Sequence, residues 1–411
     1  MEVLNKDSSL LFATFSPYYK GKRDPKNGNV EPFISFFPKR MKRFVLIDQP
    51  HTGSDIVEPV IEDYIDGKLK KKYRLINLFY KPFYLILKSI RSTENDTSIL
   101  FKIRDIISVV HVGFASKEKF QYFVGLESVN VLAGLILKKM GKVDCVIYYV
   151  SDYSPIRYKS RIFNSVYLAL DRFCCYHADF IWDVSKAMQK ARIEAGLDKL
   201  RSAPVIHVPN GLFPEYIKHL PANEIRPFSL VFMGSLGHEN GPDLAIEALS
   251  AVARKFPKAM LHIIGGGSDL ERLKKFVVKK GLLKYVKFYG MIPKDEDMLA
   301  TLRQFYIALA PYKNIKGSVR FYGDSLKLRA YMASGLPVVT TEVPPLGREL
   351  NEFGSAILVK DSAVGLADAI VDLLSNPSKY KKLRFKAIAY GKNNTWDETF
   401  KNAFMQMKNP K

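Results

Sequence analysis

Residues 322–341 read YGDSLKLRAYMASGLPVVTT, and this stretch decides the fold. Asp324 or Ser325 can cap a helix by accepting a hydrogen bond from a free backbone N–H. A short amphipathic helix follows, carrying Lys327 and Arg329. Gly335 supplies the left-handed residue that ends helices, Pro337 blocks continuation, and Val338 and Val339 open a strand. The amino end of such a helix presents unpaired N–H groups and partial positive charge to whatever lies before it, and an anion suits that place.

Outward from this stretch the chain alternates short apolar runs, glycine turns and helical patterns. In the first half SLLFATF (9–15), RFVLIDQ (43–49), IISVVHV (106–112), QYFVGLE (121–127), DCVIYYV (144–150), DFIWDVS (179–185) and VIHVP (205–209) read as strands. Helical patterns fall near 128–140, 157–177 and 185–196. Nearly continuous apolar runs are expected of strands covered on both faces of a parallel sheet. A linker with Pro209, Pro214, Pro221 and Pro227 interrupts the pattern. It then restarts with strands at 228–234, 259–264, 286–292, 305–312, 336–341 and 356–359, and helices at 242–256, 268–281, 296–304 and 362–375. The fold class is therefore α/β: two doubly wound domains facing across a cleft, residues 1–213 and 214–388, with residues 389–411 forming a terminal helix. Open α/β sheets bind ligands beyond the carboxyl ends of their strands, so the site is expected between the domains.

Composition narrows the function. The 411 residues carry a net charge of +22 with 47% hydrophobic residues, which fits a globular protein of two or three domains. Three cysteines are too few for a disulfide framework and are read as reduced, as in a cytoplasm. The start, MEVLNKDSSL, has no apolar signal core, and no uncharged run reaches the roughly 18–20 residues that span a bilayer. Residues 68–104 hold ten Lys and Arg against two acids, and 73–91 mixes aromatic and aliphatic residues with Arg74, Lys81, Lys88 and Arg91. Such a segment suits the interface of an anionic membrane, here the inner face of the plasma membrane, or packs as an ordinary helix with solvated lysines. No nucleic-acid-binding module is present, and nucleic acid is not expected as a partner. The histidines show no ligand spacing with Cys or carboxylates, so no metal or other cofactor is expected. His111 reads as a packed strand histidine.

The series VFMGSLGHENGPDLAIEAL, LHIIGGGSDLERL, VKFYGMIP, FYIALAPY and DSLKLRAYMASGLPVVTT resembles the nucleotide-binding domain of GT-B glycosyltransferases, most of all the large retaining group that builds bacterial surface glycans. The resemblance runs in order over residues 228–404 and more loosely through GLESVNVLAGLILKK, VIYYVSDYS and VIHVPNG. It implies two Rossmann-like domains, with the terminal helix returning to the first. It also implies transfer of a hexose from a nucleotide diphosphate sugar to a lipid-linked or polysaccharide acceptor, without a metal. By this resemblance Lys327 meets the phosphate, with Arg320 and Arg329 as further candidates. The turns at Gly234–Ser235 and Gly265 lie against the phosphates, and Gly290 and Ile292 seat the base. Tyr322, Ser325 and Leu326 complete the donor side. Asp152 and Glu127, at strand ends of the first half, are candidate catalytic carboxylates, with capping of the following turns as their other reading. Asp324 is the third.

The chain departs from the family's pattern. Ser235 and Asn240 stand where Arg and Lys are usual. Ala330 replaces a ribose-gripping glutamate, and Tyr322 stands where another glutamate touches the donor sugar, leaving Asp324 as the nearest carboxylate. Two alternatives stay open on the same architecture: a nucleotide-sugar epimerase and a non-catalytic GT-B-like binding protein.

Overall fold

The computed structural model describes residues 4, 6–24, 30–76 and 99–408. Its first half is built on β1 (Ser9–Ser16), a small hairpin of β2 (Tyr18–Tyr19) and β3 (Lys22–Arg23), then β4 (Arg43–Pro50), β5 (Val60–Ile65), β6 (Lys68–Arg74), β7 (Phe120–Leu126), β8 (Val143–Val150), β9 (Phe180–Asp183) and β10 (Val205–His207). The hairpin stands apart. The others form one sheet in the order β10-β9-β8-β7-β1-β4-β5-β6. From β10 through β4 neighbours run parallel; β5 and β6 add antiparallel. Strands β1, β4, β7 and β8 are buried almost throughout, as their apolar runs require.

Several elements of this half differ from the sequence reading. Residues 106–112 are not a strand but the centre of the helix Ile99–Ala115. Its buried positions, Phe101, Arg104, Asp105, Ser108, Val109, Val112 and Gly113, recur at helical spacing, and the β-branched run IISVVHV masks that period. His111 is thus a helical residue. Strands β5 and β6 were not expected. KLKKKYR lacks an apolar run because β6 is an edge strand, exposed along its whole length, whose lysines and arginine deter edge pairing; VIEDYI lies between β4 and β6, its apolar run cut by Glu62 and Asp63. Part of the basic segment is therefore sheet edge. Of the stretch 73–91, Tyr73 and Arg74 end β6, and 77–91 lies outside the described residues.

The second half contributes β11 (Ser229–Met233), β12 (Met260–Ile264), β13 (Val286–Gly290), β14 (Ile307–Ala310), β15 (Val338–Thr341) and β16 (Ala356–Val359). They form an all-parallel sheet in the order β13-β12-β11-β14-β15-β16, which is the doubly wound order with its switch point between β11 and β14. The expected α/β class and paired doubly wound sheets are present. Two helices, Pro345–Phe353 and Pro377–Asn393, join those read from sequence.

The terminal segment crosses between the domains. Pro377–Asn393 packs in the second domain, the helix is interrupted at Asn394 and Thr395, and Trp396–Lys408 lies on the first. At the crossing, Leu212 of the linker donates to Asn394 O and Trp396 N donates to Leu212 O. A Cβ on Gly211 would lie 2.3 Å from Trp396 N, so only glycine lets the two segments pass. Phe400 then packs against Phe33, Phe36, Phe37 and Trp182, while Arg40 pairs with Asp397 at 2.6 Å. Phe400→Ala should cost about 3–5 kcal/mol of stability. Urea unfolding, with limited proteolysis reporting release of residues 396–408, measures it; an unchanged midpoint would show that this helix does not hold the first domain.

Candidate functional site

Both switch points lie at the carboxyl ends of strands, and each carries a concentration of unusual groups. In the second domain three turns stack at the sheet edge. Gly234 follows β11, Gly265 follows β12, and Gly290 closes β13. Gly234 N donates to Ile264 O and Gly265 N donates to Gly290 O at 2.8 Å. Gly265 has φ +139°, and a Cβ there would sit 1.9 Å from Gly234 O, so no other residue fits without moving the neighbouring turn.

The helix that faces these turns is Leu326–Ala333. Ser325 caps it, accepting from Leu328 N at 3.3 Å while sharing a 2.7 Å hydrogen bond with the Tyr312 hydroxyl. The helix is not amphipathic: Lys327, Leu328, Arg329, Tyr331, Met332 and Ala333 are all buried, because it is wedged between the sheet and the helix Pro377–Asn393. Tyr331 fixes its depth. Its hydroxyl donates to Leu309 O at 3.1 Å and accepts from Met233 N at 2.8 Å, bridging β14 and β11 across the switch point. One turn earlier on the same face, Lys327 enters the crevice.

Lys327 is 8% exposed. Its Nζ lies 4.2 Å from the Phe232 ring centroid and 4.5 Å from that of Tyr312, one ring on each side of the switch point. Among the described residues that Nζ has no hydrogen-bond partner. Lys327 also borders the first turn, since a Cβ on Gly234 would be 2.9 Å from Lys327 Cε. Burial, helped by the charge of Arg320, pulls the ammonium down to about 7.

The first domain presents a cavity of about 470 Å³ at its own switch point, between the ends of β1 and β7. Glu127 and Arg157 lie in its wall. Glu127 follows β7 with φ +65°, a conformation that costs an ordinary residue free energy and aims the side chain off the strand end. Burial pushes its carboxyl up to about 7, against the pull of Arg157 and with the nearby Asp152 adding to the rise. Arg157 Nη1 donates to Asp152 O at 3.0 Å and approaches its carboxylate at 3.4 Å, so Asp152 sits beside Glu127 across the guanidinium.

Residues 227–376 match the model of the family Glycosyl transferases group 1. Over 135 residues the chain is 31% identical to the O-antigen biosynthesis glycosyltransferase WbnH of Escherichia coli, a match covering 32% of this chain and 37% of that protein. Over 154 residues it is 29% identical to glycogen synthase of Mycobacterium tuberculosis, covering 37% and 35%. The matches thus span only about a third of these relatives' lengths. In fold the chain is similar to sucrose-phosphate synthase from Thermosynechococcus elongatus, with TM-score 0.69 and 15% identity over 98% of this chain and 97% of that one. It is also similar to Anabaena HepE solved in complex with UDP, with TM-score 0.67 and 15% identity over 97% and 99%. The second domain is thus similar to group 1 glycosyltransferases over residues 227–376, and the fold is GT-B.

Within the second domain the structure brings Lys327, Gly234, Gly265, Gly290 and Ser325 together at the carboxyl ends of β11–β14. Arg320 is exposed and near enough to depress the Lys327 ammonium. Ser235 is exposed, and Asn240 donates to Ser235 O at 2.9 Å. Ile292 is half-buried against the domain core, and Leu326 is exposed at the helix start.

Asp324 stands elsewhere. Its carboxylate, with 2% of the side chain exposed, takes three contacts of 3.0–3.2 Å from Arg329 and accepts from Asn210 N at 2.7 Å. It lines a separate cavity of about 210 Å³ beside the linker, with His207 and Lys186. A carboxylate so fully engaged is a fastening between domains, not a catalytic group. Arg329 is taken up by the same pairing and by the Tyr390 hydroxyl at 3.1 Å, which removes it from the phosphate candidates. Tyr322 turns to the first domain, its ring edge-on to Tyr153 at 6.4 Å.

Arg157, Tyr312, Phe232 and Tyr331 were missed as site residues. Only Tyr331 left a sequence signal, four residues after Lys327 on the same helical face.

Lys327→Met should stabilise the protein in a pH-dependent manner. The folded value of about 7 lies below the ordinary 10.5, so the folded state binds fewer protons than the unfolded state between them. The penalty is complete below pH 7 and vanishes as pH rises to about 10.5. Melting temperatures of both proteins across pH 6–10 should therefore differ most at the acid end and converge at the alkaline end. A constant difference would place the lysine in water.

Proposed function

We propose that the protein transfers a hexose from a nucleotide diphosphate sugar to a hydroxyl of a lipid-linked or polysaccharide acceptor, with retention of configuration. The observation that carries this reading is the unpartnered Lys327 ammonium at the switch point of the second domain, bordered by the glycine turns. A diphosphate resting there supplies the charge that Lys327 lacks. As the bond to the diphosphate breaks and its electron pair leaves with the phosphate, the acceptor oxygen bonds to the sugar's anomeric carbon on the same face, so that configuration is retained. The negative charge grows beside a buried cation, where it is stabilised most. The hydroxyl proton passes to Glu127, whose value near 7 suits a base at neutral pH. Asp152 and Arg157 hold that carboxylate's surroundings.

The glycine turns, which carry no side chains, leave room for the phosphates to approach, and the proposed mechanism uses no metal. UDP in HepE supports a nucleotide ligand for this fold. The acceptor class follows the O-antigen relative's name. The proposed setting is the cytoplasmic face of an anionic membrane; among the described residues no helix is long and apolar enough to cross one.

A panel of nucleotide sugars tests the reading by protection against thermal unfolding and by sugar transfer. One donor should raise the melting temperature and be consumed, and chelation by EDTA should leave both effects intact. Lys327→Met should lose donor protection, with affinity down about 100-fold, as for removal of a buried charge partner. Glu127→Gln should keep donor protection while losing turnover by about 10²–10⁴. Failure of every nucleotide sugar to bind would sink the proposal.

A further inference from the structure

The second domain concentrates cations at the end away from its glycine turns. Residues 251–260 and 272–287 together hold ten Lys and Arg and no Asp or Glu. The fold brings the two runs to one place. The helix Pro242–Lys255 starts beyond the carboxyl end of β11 and returns the chain to Met260, where β12 begins. The helix Leu270–Lys279 does the same for β13, which begins at Val286. β12 and β13 are parallel neighbours with Leu261 opposite Val286, and Lys280 pairs with Glu247 of the earlier helix at 2.9 Å. The last turns of both helices and the connections that follow them therefore meet at the amino end of the sheet. Five strand residues, about 17 Å, separate this end from the glycine turns.

Three of the ten cations are engaged in ion pairs: Arg272 with Asp269, Lys274 with Glu271 and Lys280 with Glu247. Among the described residues the other seven have no carboxylate partner, and all seven are exposed. Part of this charge has a local role. Arg254, Lys255 and Lys279 lie in last helical turns, where cations complement the helix dipole. Lys287 lies on the edge strand β13, where lysine deters strand pairing. Lys258 and Lys275 have neither role, and like charges held together repel one another unless a polyanion covers them.

The surroundings select the kind of polyanion. Single-stranded nucleic acid needs exposed aromatic faces for its bases, and here Phe256, Phe276 and Tyr285 are half-buried, with Lys284 Nζ 5.0 Å above the Tyr285 ring. A planar anionic membrane laid on this end would face away from the glycine turns and Lys327. Exposed Val278 and Leu283 stand singly among the lysines, as apolar surface residues commonly do. A flexible chain with an acid on each repeat reaches this end from any side. It also needs no fixed pairing geometry, which suits lysine, a mobile point charge, and eight of the ten cations are lysine.

We infer that the amino end of the second domain binds an acidic polysaccharide, whose carboxylates or phosphates pair with the exposed lysines of the helix Leu270–Lys279 and the connections beside it. That the polymer is the chain being extended rests on the glycosyl-transfer reading; the binding of an acidic glycan does not.

Fluorescence anisotropy with a fluorescein-labelled oligogalacturonate tests the surface. Saturable binding is expected, weakening by about tenfold or more between 50 and 200 mM salt as counterions compete. Neutral dextran should not displace it. The triple variant Lys275→Gln, Lys279→Gln, Lys284→Gln should weaken binding about tenfold. The triple variant Lys68→Gln, Lys70→Gln, Lys71→Gln removes the same charge from β6 and should change binding less than about twofold. All six positions are exposed, so an unchanged melting temperature certifies both folds. Three results would each overturn the inference: no saturable binding, displacement by dextran, or equal losses in the two variants, which would mean attraction to the net charge of +22 alone. Tighter binding of single-stranded DNA or of phosphatidylglycerol vesicles, lost in the Lys275 variant, would also overturn it by assigning the face to nucleic acid or to a membrane. Nucleotide-sugar protection of the Lys275 variant should be unchanged, so failure of the donor reading and failure of the polysaccharide surface are seen separately.

Discussion

A lysine ammonium enclosed by two aromatic rings, with no acceptor among the described residues, is the constraint around which the second domain is arranged. Removing an amine from water disfavours its charged form, and the ring faces of Phe232 and Tyr312 return only about 0.5–2 kcal/mol. An apolar side chain would fill the same space at lower cost. The surrounding structure nevertheless over-determines the placement. Ser325 caps the helix, Tyr331 pins it to both central strands, and Gly234 leaves room for the Lys327 stem. Structure that holds an unfavourable group so firmly is the usual mark of a site awaiting an opposite charge.

The two switch points depend on a small set of fastenings between the domains. Asp324 is one: a buried carboxylate that receives the linker through Asn210 N and Arg329 from the helix that carries Lys327. Arg329 extends the connection to Tyr390, whose hydroxyl donates to Glu349. The terminal helix is the other, anchored by Phe400 in the aromatic core of the first domain. Removing one member of a buried pair such as Asp324–Arg329 leaves an uncompensated charge, so this junction resists substitution more than its distance from the glycine turns suggests.

The second domain was legible because its strands are short apolar runs, each ended by glycine or proline, and its helices keep their period. The first domain was less so. Strand β6 carries the charges of a sheet edge and the apolar run of β5 is cut by Glu62 and Asp63, while the helix around 106–112 hides its period under β-branched residues. At the site, the cap and Lys327 could be read from adjacent residues, because caps are local. Asp324 could not, since its partners are Arg329 on the next helix and a backbone N–H more than a hundred residues away. Arg157 belongs to a loop without periodicity, and Phe232 and Tyr312 acquire their meaning only where β11 and β14 become neighbours. Sequence patterns report the faces that elements bury; they do not report which side chains meet across a switch point.

The departures at Ser235 and Asn240 acquire a physical meaning in this arrangement. Asn240 is buried and uses its amide to hold Ser235 O, so this end of the crevice is shaped by a neutral hydrogen bond. Cationic charge is then left to Lys327, which is desolvated, and Arg320, which is exposed. The two are unequal. An exposed guanidinium is screened by water and salt, and acts mainly to attract an anion. A desolvated ammonium acts at short range with little screening, but only when protonated, and Arg320 itself depresses that protonation. An arriving diphosphate would reverse the balance, pairing with Arg320 and restoring the proton on Lys327. In the proposed reaction, anion binding would thereby be coupled to proton uptake, beside a first turn that supplies shape and no charge.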